Sequence, residues 1–97
     1  MQTNIGKHLY IIQDKVTKDL KIGRSNDPYY RLEQLQTANS NKLRILIILK
    51  EQGMREKYLH KLLKDYNKNG EWFKERALSE LPIDIYEQLD LDMINTD

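Results

Sequence analysis

From His8 to Gln13 the side chains alternate in direction, Leu9 and Ile11 one way and Tyr10 and Ile12 the other, which predicts a strand. The polar run from Asp14 to Asp19 reads as a turn. Leu20 to Arg24 returns as a second strand, so the two form an antiparallel hairpin. Gly23 breaks that strand and, lacking a Cβ, allows close approach to the main chain. A helix start follows: Asp27 has a side-chain oxygen to accept from an unpaired N–H, and Pro28 has no N–H to waste. The helix is predicted from Pro28 to about Thr37. At about 100° per residue, Arg31, Leu35 and Ala38 share its inner face, with Leu32 beside them.

Ala38 to Asn41 is small and polar, hence a loop. Leu43 to Lys50 is nearly continuous in Leu and Ile, which predicts a central strand covered on both faces. Gly53 marks a break. A second helix is predicted from Met54 to about Tyr66, with Met54, Tyr58, Leu59, Leu62, Leu63 and Tyr66 as its apolar stripe. Asn69-Gly70 is a stop signal, and Glu71-Trp72-Phe73 reads as a short aromatic segment packed back on the core. From Pro82 an acidic helix is expected to run to about Met93, with Leu81, Ile83, Ile85, Leu89 and Met93 against the core. No repeat or low-complexity stretch interrupts this pattern, so residues 1–97 are expected to form a single domain.

Composition narrows the class. Hydrophobic residues make up 39% and charged residues 32%, as in a soluble globular protein. The longest apolar run, Ile45 to Leu49, is far too short to span a membrane, and the N-terminal residues carry no secretory pattern. Cys is absent, which excludes disulfides and thiolate metal sites and fits a reducing, cytoplasmic setting, a host cell if the source is viral. The formal charge of +1 hides an asymmetry: all 16 Lys and Arg lie at or before Arg76. That part holds nine acids and a surplus of seven positive charges, whereas the last stretch holds six acids and no base. A basic body points to a polyanionic partner, and an acidic tail either shields that body or is an ordinary solvated face.

Several side chains stand where a plain core does not need them. Arg31 on the inner face requires an anion such as a phosphate, a carboxylate partner, or a path past the core edge. Tyr10 has a hydroxyl to satisfy in the first strand, and Lys21 stands two residues before Gly23. Glu56 and His60 are one turn apart at the edge of the second helix's apolar stripe, beside Leu63. Each also has a plain structural reading: a half-buried strand tyrosine, a solvent-facing lysine, a helix-surface pair. Glu71 reads as a turn carboxylate above core aromatics. Tyr29 or Tyr30 is the aromatic best placed to meet a nucleic acid.

Taken in order, Tyr10 in a strand, Lys21-Ile22-Gly23, helical Arg31-Leu32, Glu56-x-x-x-His60 and Gly70-Glu71-Trp72-Phe73 resemble the GIY-YIG endonuclease superfamily. The resemblance is closest to a phage-type DNA-binding-domain branch whose second motif reads KIG and whose last reads E-W-F. It covers about residues 8–73 and leaves residues 77–97 as an acidic, helical C-terminal extension. It implies an α+β fold, a three-stranded antiparallel sheet flanked by helices, and hydrolysis of DNA phosphodiester bonds with one divalent cation, Mg2+ or Mn2+. It also implies roles for single residues. Tyr10 handles a proton for the attacking water or positions it, Arg31 meets the developing phosphate charge, and Glu56 binds the metal. Lys21 stands where the superfamily has its second tyrosine, as a phosphate contact or a base. Arg24, Ser25, Tyr30 and His60 are the expected nucleic-acid contacts. The first motif lacks its usual glycine, and Asn69 stands nearest the terminal polar position. Two functions follow as expectations: a phage or mobile-element endonuclease acting on DNA, alone, as a homodimer or with a partner protein, or a binding module on the same scaffold with little catalysis.

Overall fold

A computed structural model of the chain describes residues 6–89. The elements run β1 (His8–Asp14), β2 (Leu20–Ser25), α1 (Pro28–Thr37), β3 (Leu43–Leu49), α2 (Arg55–Leu62), β4 (Asn67–Asn69), β5 (Trp72–Phe73) and α3 (Ile83–Tyr86). Short 3-10 turns at Lys64–Tyr66 and Glu75–Glu80 connect them. The strands form one sheet in the order β3-β1-β2-β5-β4, every neighbouring pair antiparallel. The class is therefore α+β as expected, but the sheet has five strands rather than three. The two extra strands gave no signal. Asn67-Lys68-Asn69 holds no apolar residue and Trp72-Phe73 is only two residues long, so neither shows a period of two.

The β1–β2 hairpin is closed by Asp14. Its carboxylate accepts from the Val16 and Thr17 amides at 2.8 and 3.0 Å. Asp27 caps α1 by accepting from the Tyr30 amide at 3.1 Å, with Pro28 in the first turn. The alternation in β1 divides the core. Leu9 and Ile11 join Leu20, Ile22, Leu59, Leu63 and Phe73 on one face of the sheet. Tyr10, Ile12 and Leu43 lie on the other face, beneath Leu32 and Leu35 of α1. Ala77, Leu78, Leu81, Ile85 and Leu89 complete the first face, so the chain from Ala77 to Leu89 is part of the core.

Three sequence expectations shift. β3 is covered on both faces but lies at the edge of the sheet, not its centre. Two-sided burial alone produces a continuous apolar run, and it does not depend on a second hydrogen-bonded neighbour. A bulge between β1 and β3 leaves Leu46 as an extra residue, on the same side as Ile47. The second helix is shorter than predicted, and of its stripe only Leu59 and Leu63 are buried, with Tyr66 partly so. Met54, Tyr58 and Leu62 are exposed, because the helix rolls to turn the rows holding Leu59, Leu63, Glu56 and His60 toward the sheet. Ile83 is also exposed, and the helix from Pro82 is a single turn. Met93 and the end of that predicted helix lie outside the described residues.

Candidate active site

The β1–β2 register sets Tyr10 opposite Gly23. A Cβ at Gly23 would stand 2.5 Å from the Tyr10 hydroxyl and 3.0 Å from Oε1 of Glu71. The missing side chain is thus the space into which a buried phenol and a carboxylate converge. Arg31, one turn into α1, lies close enough to the Tyr10 phenol to favour its charged form, and it donates to Gln34 Oε1 at 3.3 Å. The arginine on the inner side of the helix therefore meets a phenol oxygen rather than a carboxylate.

From the opposite face α2 contributes Glu56 and His60. Nε2 of His60 lies 2.7 Å from the Ile22 carbonyl, which can only accept, so Nε2 carries the proton. The imidazole meets Phe73 edge-on at 5.0 Å. This anchor ties α2 to β2 and holds Glu56, one turn earlier, close to the Glu71 carboxylate. Glu71 is fixed in turn by its backbone, whose carbonyl accepts from the Ile22 amide at 3.0 Å. Its Oε1 pairs with Lys21 Nζ at 3.1 Å, and the same ammonium stands 5.5 Å from the centre of the Trp72 ring.

Burial raises the Tyr10 phenol above its ordinary range; Arg31 pulls it back, while Glu71 and Glu56 push it further. Tyr10 is therefore a neutral phenol near pH 7. Glu56 is also raised, first by burial and then by the Glu71 carboxylate, with His60 and Arg24 opposing. These are two ionisable groups whose charged forms the site disfavours until a cation or a proton arrives.

The four residues expected at a catalytic centre, Tyr10, Lys21, Arg31 and Glu56, are thus joined directly or through Glu71. The expected nucleic-acid contacts are more dispersed. Arg24 is exposed and its Nε donates to the Gly6 carbonyl at 2.7 Å. The Ser25 hydroxyl accepts from the Asp27 amide at 2.9 Å, as part of the turn into α1. Tyr30 is exposed on the first turn of α1. His60 spends Nε2 on the backbone. Sequence reasoning missed Glu71, whose only signal was its place in the Glu71-Trp72-Phe73 motif. Among the described residues, no group of three or more His, Asp or Glu side chains is arranged to hold a metal; Glu56 and Glu71 are a pair. A cleft of about 640 Å³ lies between the start of α1 and β3. Tyr29, Lys50 and His8 are among the residues that line it.

These features define an α+β domain whose small antiparallel sheet brings a phenol, two basic side chains and a carboxyl pair close to one glycine. A family comparison makes this specific: residues 7–90 match the T5orf172 domain, and the chain belongs to that family. The family is linked to the GIY-YIG nuclease superfamily. Comparison with curated proteins and with solved structures gave no match. No helix among the described residues is long and apolar enough to cross a membrane.

Proposed function

We propose that this domain is a metal-dependent endonuclease that cleaves or nicks DNA. The observation that carries the reading is the convergence of the Tyr10 hydroxyl and the Glu71 carboxylate beside Gly23, with Arg31 near the phenol and Glu56 near Glu71. In hydrolysis, water oxygen bonds to phosphorus and a bridging P–O bond breaks, and negative charge accumulates on the phosphoryl oxygens. Arg31 and Lys21 are the cations set to meet that charge. Tyr10, as a neutral phenol, hydrogen-bonds and orients the attacking water rather than removing its proton outright. Carboxyl oxygen is the donor chemistry that Mg2+ and Mn2+ prefer, and Glu56 is half-buried with a second carboxyl against it, so the residues fit such a cation. Glu56 would hold it, and when bound it supplies Lewis acidity at the phosphate. DNA as the partner accords with the basic body of the chain.

The test is a plasmid assay with wild type and Glu56→Gln in magnesium, in manganese and in chelator. Metal-dependent nicking that Glu56→Gln abolishes is expected. Intact supercoiled DNA with a folded wild type overturns the nuclease reading in favour of a binding module on the same scaffold.

A further inference from the structure

Lys21 is a buried ammonium in the middle of a sheet, and such a group needs compensation. Its carboxylate and its aromatic partner come from one short segment. β5 pairs with β2 so that Leu20 lies opposite Phe73 and Lys21 opposite Trp72. The Ile22 amide bonds to the Glu71 carbonyl and extends this register by one residue. In consequence the Glu71 carboxylate lies 3.1 Å from the ammonium and the indole of Trp72 lies 5.5 Å from it. Phe73, next along, supports the imidazole that anchors Glu56. The same Glu71 oxygen stands 3.0 Å from the empty Cβ position of Gly23, where the Tyr10 hydroxyl also points.

We propose that Glu71 is a positioning residue. It seats the Lys21 ammonium between its own carboxylate and the Trp72 ring, beside the Tyr10 hydroxyl, so that this lysine contacts the scissile phosphate as a fixed cation. The assignment rests on the nuclease reading and adds to it a residue that touches no substrate. It decides between the two roles left open for Lys21, in favour of a phosphate contact over a base. An ammonium paired with a carboxylate and stacked on an indole face has a fixed direction, unlike a free lysine on a flexible stem.

The experiment is a double-mutant cycle with Glu71→Gln and Lys21→Met, which keep shape and remove charge. Thermal unfolding first shows that each variant is folded. Plasmid nicking then gives kcat and KM. Glu71→Gln is expected to lower kcat about tenfold or more with KM unchanged or lower, because it unseats a cation needed in the transition state and removes a negative charge facing DNA. In the Lys21→Met background the same change is expected to have a much smaller effect on kcat. Glu71→Asp is expected to recover part of the loss. Additive losses in the cycle overturn the proposal, as does an unchanged kcat in folded Glu71→Gln. If wild type does not cut DNA, the nuclease reading fails separately. The seat is then read from affinity for a short duplex in chelator over a salt series. Lys21→Met is expected to reduce the salt slope by about one. Glu71→Gln is then expected to change affinity at least threefold in wild type and not at all in Lys21→Met; equal effects in both backgrounds overturn the proposal.

Discussion

At the scale of single residues the site is held in a state that costs stability. Glu56 is a carboxyl whose folded value lies above its ordinary one, so its ionised form is disfavoured by the fold. Such a group weakens the protein as pH rises above the ordinary carboxylate range, and the penalty fades as pH falls and the folded group protonates. In chelator, Glu56→Gln is therefore expected to raise the thermal midpoint by a few degrees at neutral pH, with the gain shrinking toward acid, while abolishing any nicking. A second expectation concerns Gly23. A methyl there meets the Tyr10 hydroxyl at 2.5 Å, so Gly23→Ala should displace that hydroxyl, lower nicking sharply and cost about 1–3 kcal/mol by denaturant unfolding. Tyr10, Lys21, Arg31 and Glu56 could be singled out as candidates because each sits in an ordered motif on a predictable element. Glu71 was not legible from periodicity. Its part in the site follows from a backbone register between β2 and a two-residue strand, which no local pattern encodes.

At the scale of elements, the hairpin and α1 were readable because their signals are local. Asp14, Asp27 and Pro28 act on residues within one turn of themselves. Asp27→Ala is expected to cost about 1 kcal/mol in urea unfolding, the usual worth of an N-cap. Asp14 gives a pH test. Burial opposes its charge, but hydrogen bonds from Asn41 and from the Thr17 and Val16 amides hold it below its ordinary value. A depressed acid adds stability above its unfolded value and loses it as pH falls through the folded one. Asp14→Asn should thus lower the midpoint at neutral pH and converge with wild type below the ordinary carboxylate range. What the elements did not reveal is their roll and their place. Met54, Tyr58 and Leu62 satisfy helical spacing as well as Leu59 and Leu63 do, and only the position of β2 selects the buried row. Likewise nothing in Leu43 to Leu49 distinguishes an edge from a centre when α1 and the first core face cover both sides.

At the scale of the whole molecule, charge is segregated along the chain. The basic residues end at Arg76, and residues 90–97 carry three aspartates and no base. Removing those eight residues is expected to tighten DNA binding at low salt and to matter little at high salt, where the Debye length is short. Equal affinities for both forms across a salt series would argue against electrostatic shielding. The position of β3 has a different kind of consequence. Among the described residues β3 has a partner on one side only, and a strand of Leu and Ile at a sheet margin is a template on which unfolding copies can stack. Its charges sit at or near its two ends, Lys42 just before it and Arg44 as its second residue, Lys50 and Glu51 after it, the arrangement of gatekeepers that keep such a segment from propagating into fibrils. Their selective value lies in colloidal survival during synthesis, a demand separate from any chemistry at Gly23.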